Sequence, residues 1–199
     1  MKTARLALVF VFGASAAYGD DVDEIMDAAS DGIVVVSNVA GSVEVSGWSR
    51  NQVEVTGELG SRVEELIFER DGDEILIKVK VPRNNNGGIS SDLSINIPVA
   101  SSLQVNTVSA DIEVSDVEGE QELQSVSGDV ETEAHAADIE LSSVSGDVEV
   151  QGDRQNIRAR MNTVSGDVDA DSLSGEIAAE SVSGDIATIN GSFERASLE

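Results

Sequence analysis

Apolar and polar residues alternate along most of the chain in a pattern that recurs with a fixed period. The recurring string reads SVSGDVEV at Ser143, and close copies of it precede and follow. The residue at its centre is Ala110, Gly128, Gly146, Gly166 and Gly184, at spacings of 18, 18, 20 and 18. Weaker copies start halfway along, at Gly119, Ala137, Gln155 and Gly175. The underlying unit is therefore nine residues long, and two units make one coil.

Within each nine-residue unit, the third, fifth and eighth positions are apolar. The third and fifth, such as Val148 and Val150, alternate with polar residues as on a half-buried strand. The eighth, such as Val144, lies beside the turn. One unit cannot bury its apolar side alone, but coils stacked in register can. The pattern predicts an all-β fold, a parallel β-solenoid of about 18-residue coils, each made of two nine-residue half-coils.

The repeated Ser-Gly-Asp is interpreted as a structural corner rather than a ligand loop. Glycine at this corner permits a positive φ. The Ser before the glycine and the Asp after it have side chains that bond to turn N–H groups.

Residues 20–100 form an N-terminal β section, and residues 101–199 form the repeat solenoid that continues it. Alternating strands at Val63–Arg70 and Glu74–Val81 flank Asp71-Gly72-Asp73, which indicates a β-hairpin. A polar loop, 83–92, and one more strand follow. We expect this section to cap the N-terminal edge of the solenoid. The acidic stretch Asp20–Ser30 has room for one short helical turn.

Residues 1–19 have the features of a secretory signal peptide. Lys2 and Arg5 precede the short apolar run Leu6–Gly13, and Ala17-Tyr18-Gly19 fits a cleavage site before Asp20. A membrane anchor is the alternative, but the run is shorter than the roughly 18 residues that a span needs. We expect an exported protein, in the periplasm or at the cell surface, with no integral membrane segment after cleavage.

Composition restricts the chemistry further. The formal net charge is −26, and the chain has three lysines and no cysteine. The charge argues against nucleic acid and anionic membranes as partners. Without cysteine, disulfides, thiolate catalysis, cysteine–zinc sites and lipoprotein anchoring are excluded.

Acidic residues are arranged so that one face of the predicted solenoid carries a ladder of carboxylates. Positions two and four after each corner point outward together, and we single out Asp129, Glu131, Asp147, Glu149, Asp167 and Asp169 as a weak divalent-cation face. Calcium accepts irregular oxygen ligands and is the ion considered; no other cofactor is expected. The Gly-rich motif of calcium-binding β-rolls is not met. A merely solvated acidic surface is the alternative.

Catalysis is not expected. The one histidine, His135, takes a normally apolar position, and no serine lies in a nucleophile-elbow pattern. Sugar-cleaving sites usually offer aromatic platforms, whereas aromatic residues make up 3% of this chain. Arg158 and Arg160 are interpreted as members of surface salt bridges to Glu140 and Glu180 on adjacent coils.

Three features together carry a family resemblance: GSVEVSGW with QVEVTGEL (41–59), DEILIKVKVP (73–82) and the serial VSGD corners. In these the chain resembles an uncharacterised bacterial family of β-strand-repeat proteins often labelled as candidate adhesins, related to toastrack-type envelope domains. It implies no catalytic residues. It makes a role in envelope stress systems conceivable by analogy alone.

Three functions follow as expectations. The first is a noncatalytic exported envelope or surface protein, adhesin-like, that presents a rigid acidic face to an unknown envelope protein or surface ligand. The second is an envelope-stress sensor or scaffold acting through a protein partner, and the third is a carbohydrate-active β-helix enzyme. We also expect Ala196 and Leu198 to take the places of Ile157 and Ala159 in a final half-coil, whose exposed edge invites self-association.

Overall fold

The computed structural model describes residues 20–83, 87–135 and 138–198; the predicted signal peptide, 1–19, lies outside these ranges. The described chain is all-β, without a helix, and most of its strand pairs are parallel. Both features were predicted from the nine-residue alternation.

Sixteen strands form one sheet that winds around a single core. In chain order they are β1 Asp20–Asp27, β2 Ile33–Trp48, β3 Gln52–Leu59, β4 Glu65–Asp71, β5 Glu74–Lys80, β6 Ser91–Pro98, β7 Ser102–Ser115, β8 Gln121–Gln124, β9 Val130–Ala134, β10 Ile139–Ser142, β11 Val148–Gly152, β12 Asn156–Thr163, β13 Val168–Asp171, β14 Ser174–Ser181, β15 Ile186–Ile189 and β16 Ser192–Leu198.

The repeat region stacks its strands in two parallel series that both begin on β7. One series runs β7, β8, β10, β12, β14, β16, and the other runs β7, β9, β11, β13, β15. Paired residues lie 18 positions apart where Val130 meets Val148, and 20 apart where Val148 meets Val168. The two extra residues fall in the longer connection that contains Asp153 and Arg154.

Apolar columns on the inner sides of the two series form the core of the repeat region. One column joins Val105, Leu123, Leu141 and Met161, each 0% exposed. Full burial of such a side chain contributes about 1.5–3 kcal/mol. The alternation of apolar and polar positions in the sequence therefore reports the inside and outside of the solenoid correctly.

The N-terminal section widens the sheet before the repeats begin. The first half of β2 pairs with β5 and the second half with β6, both in parallel. The antiparallel hairpin of β4 and β5 is present as predicted, with Gly72 at φ 68° in its turn. On the other side of β6, β3 pairs with it in antiparallel, and β1 pairs antiparallel with β3.

The expected helical turn within Asp20–Ser30 is wrong. Asp20–Asp27 is strand β1, paired antiparallel to β3 along its whole length. Val22, at 9% exposure, joins the core. Edge pairing to an existing sheet satisfies the backbone of this acidic segment, whereas a single helical turn in isolation is poorly stable.

The reason given for glycine at the VSGD corners is also wrong. Gly146 does not have a positive φ; instead, a Cβ placed on it would lie 2.1 Å from the carbonyl oxygen of Gly128 in the preceding coil. A Cβ placed on Gly166 would likewise lie 2.1 Å from the carbonyl oxygen of Gly146. Glycine is needed because two backbones approach closely. At Ala110 no turn exists, since β7 runs straight through.

Left-handed backbone at non-glycine residues occurs where the strands end, opposite the VSGD corners at which they begin. Asp116, Ser172 and Asn190 have φ of 55–56°, and Arg154 has φ of 69°. These residues follow β7, β13, β15 and β11. The chain thus bends through positive φ at polar non-glycine residues, a choice that Asp and Asn tolerate better than most.

The predicted register of the last strand is shifted by two residues. Ala196 pairs with Ile177 and Leu198 with Ala179, so they continue the columns of Ala159 and Met161, not those of Ile157 and Ala159. An irregularity between Gly175 and Glu176 limits the shift to two residues instead of three, because Phe193 faces Gly175, Arg195 faces Glu176 and Glu194 is skipped.

Candidate functional site

The aspartates that follow the corner glycines form a hydrogen-bonded ladder along the solenoid. The backbone N–H of Asp147 donates to Oδ1 of Asp129 at 2.9 Å, and the N–H of Asp167 donates to Oδ1 of Asp147 at 2.8 Å. The same bond joins Asp129 to Asp111 and Asp185 to Asp167. One oxygen of each carboxylate in the middle of the ladder therefore has a structural role.

A second acidic column runs beside the first. Glu113, Glu131, Glu149 and Asp169 are paired neighbours on β7, β9, β11 and β13, and all are exposed. Partial desolvation raises the pKa of Glu131, and the charges of Glu149, Glu113 and Glu133 raise it further. The six carboxylates singled out in the sequence thus lie on one face, with each glutamate or aspartate of this column crowded by like charges.

Buried hydroxyls support the corners from inside, and sequence reasoning misplaced them. The hydroxyl of Ser143, three residues before Gly146, accepts the N–H of Gly146 at 2.9 Å and donates to the carbonyl of Gly128 at 3.1 Å. Thr163 does the same between Gly166 and Gly146. The Ser directly before each glycine is exposed, as at Ser145.

An exposed row of valines, which the alternation did not predict, borders the aspartate ladder. Val108, Val126, Val144 and Val164 are 45–48% exposed, and Val182 is 78% exposed. The N–H of Ser145 bonds to the carbonyl of Val126, and the N–H of Ser165 to that of Val144, so successive valines stand above one another. The signal was present in the sequence, since the same apolar residue precedes every Ser-Gly-Asp.

The two arginines singled out in the sequence, Arg158 and Arg160, lie on β12, in the other series of strands. Arg158 contacts Asp138 at 2.6 Å and Glu176 at 3.6 Å, and Arg160 contacts Glu140 at 3.9 Å. The predicted pairing of Arg160 with Glu140 is confirmed, whereas Glu180 lies opposite Asn162. These side chains line a shallow groove of about 380 Å³.

His135 lies at the end of β9 between two carboxylates. Its Nε2 is 3.7 Å from Glu133 and its Nδ1 is 3.7 Å from Asp153, with the side chain 26% exposed. Burial by itself would raise the pKa of Asp153, but hydrogen bonds from Gln155 and the contact with His135 outweigh it and lower that pKa. This partial burial agrees with the normally apolar position that His135 takes in the nine-residue unit.

The family model described as Toastrack DUF4097 matches residues 34–196. The chain belongs to the Toastrack DUF4097 family. The match spans the N-terminal section as well as the repeats, so both are parts of the Toastrack unit. The resemblance stated from the GSVEVSGW segment and the VSGD corners is thereby confirmed.

Solved structures similar to this Toastrack chain include three bacterial proteins. A candidate adhesin of Bacteroides fragilis is 10% identical, with 90% of this chain and 97% of that chain covered and a TM-score of 0.47. A candidate cell adhesion protein of Clostridium sporogenes is 10% identical, with 90% and 100% covered and a TM-score of 0.41. A candidate lipid-binding protein of Parabacteroides distasonis is 15% identical, with 91% and 98% covered and a TM-score of 0.35.

No curated protein matches this Toastrack chain. Within the described ranges it has no helix with the length and hydropathy of a membrane span.

Proposed function

We propose that this chain is a noncatalytic, exported envelope or surface protein, adhesin-like in action, that presents one rigid acidic face of a β-solenoid to a partner. The observation that carries the proposal is the repetition, coil after coil, of three exposed columns side by side. The first is the valine row of Val108, Val126, Val144, Val164 and Val182. The second is the aspartate ladder of Asp111, Asp129, Asp147, Asp167 and Asp185, and the third is the column of Glu113, Glu131, Glu149 and Asp169.

Rigidity comes from the stacking. Each coil is hydrogen-bonded to its neighbours through parallel strands about 4.8 Å apart, and the aspartate ladder adds a side-chain bond at every step. We propose that the repeating unit is an 18-residue coil of two half-coils, so one copy of the three columns recurs per coil. A partner with matching repetition would gain avidity from several weak contacts made at once.

The chemistry of the face defines the partner class. Valines offer apolar area, and the flanking carboxylates favour a surface with basic groups. Exposed apolar rows bordered by polar residues are typical of interaction sites. The noncatalytic part of the proposal is supported by His135, because both of its ring nitrogens face carboxylates and not a serine hydroxyl.

The test uses labelled protein 20–199 and isolated cell envelopes of the source organism. Wild-type protein should sediment with the envelopes, and added salt should weaken this binding because the carboxylates contribute. A variant with Val126→Ser, Val144→Ser and Val164→Ser should lose most of the binding. Wild-type protein that remains in the supernatant would contradict the proposal.

A matched control variant carries Gln104→Ser, Glu122→Ala and Arg160→Ser, three changes on the opposite series of strands. It should bind as the wild type does. Circular dichroism of both variants shows whether the solenoid is intact, so that a loss of binding can be assigned to the valine row.

A further inference from the structure

Three side chains of types that can bind a metal ion meet at one end of the strands, next to the acidic face described above. The three side chains are Asp116, Glu133 and His135. Each offers one atom that can bind a metal, a carboxylate oxygen or a ring nitrogen, and these three atoms lie within 4.8 Å of one another. Asp116 follows β7, Glu133 belongs to β9, and His135 comes directly after β9. The stacking of β9 on β7 brings the three together although 19 residues separate Asp116 from His135 in the sequence.

The imidazole shows an unused coordinating atom. Nε2 of His135 is buried and has no hydrogen-bond partner among the described residues, while its nearest charged atom is the Glu133 carboxylate at 3.7 Å. A buried ring nitrogen without a partner is costly unless a ligand occupies it. The lack of a partner at Nε2 is a property of His135 itself and is independent of how many acidic residues lie nearby.

Asp153 supplies the outer support that metal-bound histidines usually have. Its carboxylate lies 3.7 Å from Nδ1, on the side of the ring opposite Glu133. A carboxylate at Nδ1 favours the tautomer with the proton on that nitrogen, which leaves the Nε2 lone pair free for a metal. Asp153 itself is fixed by the backbone N–H and the side chain of Gln155, at 3.0 and 2.8 Å.

The cluster also has space for an ion and its water ligands. Asp116 and His135 line a cavity of about 260 Å³ together with Trp48, Val99 and Glu118. We propose that Asp116, Glu133 and His135 bind a divalent transition-metal ion, with Asp153 as the outer partner of the histidine. One imidazole and two carboxylates suit Zn²⁺, Ni²⁺ or Co²⁺, whereas Ca²⁺ and Mg²⁺ prefer oxygen ligands alone.

This inference goes beyond the proposed function and is independent of it, because no residue of the valine row takes part. The position of Trp48 makes it testable. Trp48 is the only tryptophan of the chain and lines the same cavity, so a paramagnetic ion bound there should quench its fluorescence. Ni²⁺ titrated into protein 20–199, previously freed of metal with a chelator, should give saturable quenching that Zn²⁺ reverses and Ca²⁺ does not.

His135→Gln is the decisive variant because it removes the imidazole ligand and keeps a polar side chain of similar length. Affinity for Ni²⁺, and for Zn²⁺ measured by calorimetry, should fall by about tenfold or more. Asp153→Asn should weaken binding by about tenfold through loss of the outer partner. Melting temperatures measured in chelator show whether each variant is folded.

Glu133→Gln and Glu69→Gln form a matched pair, because each removes one carboxylate from a strand. Only Glu133 belongs to the cluster, so Glu69→Gln, on β4, should bind like the wild type. Equal affinity of wild type and His135→Gln would overturn the proposal. An equal loss in both glutamate variants would also overturn it, since it would indicate diffuse attraction by the acidic surface.

Discussion

At the residue scale, the corner glycines show that one residue type can be required for two different reasons. Gly72 is required by its φ of 68°, with open space where a Cβ would be. Gly146 has an ordinary backbone but no space, because the carbonyl of Gly128 lies 2.1 Å from the Cβ position. The first restriction concerns the local chain, and the second concerns the distance between coils.

Gly146→Ala should therefore destabilise the protein by about 2 kcal/mol, since the neighbouring coil must move to admit the methyl group. The melting temperature should fall by about 5 °C in a chain of this size. Ser145→Ala, an exposed neighbour, is the control and should change little. Gly146→Asn separates the two explanations: a left-handed corner would tolerate Asn, whereas a close approach makes Asn at least as harmful as Ala.

Glu131 is a residue of the second acidic column whose ionisation lowers the stability of the folded protein. Its pKa is raised by desolvation and by Glu149, Glu113 and Glu133, so the folded state binds a proton more tightly than the unfolded chain does. The resulting loss of stability is complete above the folded-state pKa. It disappears as the pH falls below the ordinary carboxyl range, about pH 4.

Glu131→Gln should accordingly stabilise the protein near neutral pH by about 0.5 kcal/mol, a modest value because the side chain is exposed. Melting curves of wild type and variant between pH 7 and pH 3.5 should converge at the acidic end. A gain that stays constant across this range would mean that packing, and not charge, is responsible.

At the scale of the strands, β9, β11 and β13 combine structural and exposed carboxylates. Asp129, Asp147 and Asp167 accept backbone N–H groups, which ties one oxygen of each. Glu131, Glu149 and Asp169 continue the exposed column that starts at Glu113. Weak calcium binding on this face stays a proposal. Each ion would share the free oxygens of adjacent strands about 4.8 Å apart.

If calcium binds this face, it should raise the melting temperature more than sodium chloride does at the same ionic strength, because binding to the folded state alone stabilises by mass action. The variant Asp129→Asn, Glu131→Gln, Asp147→Asn, Glu149→Gln should lose the difference. It should also fold, since Asn keeps a side-chain oxygen for the ladder. Equal melting temperatures of the wild type in the two salts would leave screening as the whole effect.

At the scale of the whole molecule, the predicted export can be tested at the N-terminus. Cleavage after Gly19, the site predicted from the sequence, would make Asp20 the first residue. We expect intact mass spectrometry of the protein recovered from the producing cell to give a chain that begins at or near Asp20. Soluble cytoplasmic protein that retains Met1 would contradict export.

Periodicity made the repeat region predictable. The columns of Val130, Val148 and Val168, the outward carboxylates and the hairpin at Gly72 could all be predicted, because strand alternation and turn residues are local signals. Strand β1 could not, because an acidic segment becomes a strand only when an edge is available to pair with it.

The sequence by itself therefore determined which side chains face inward, how often the pattern returns, and how much negative charge the outside carries. Only the tertiary structure decided what lies next to what between coils. It placed Gly146 against Gly128, the valines in an exposed row, and Asp116 beside His135. The physical reason is that alternation specifies only which side of a strand a residue is on. Contacts between coils depend instead on the register and separation of the coils. The two extra residues between Val148 and Val168 change the register, and the close backbone approach at the corners sets the separation.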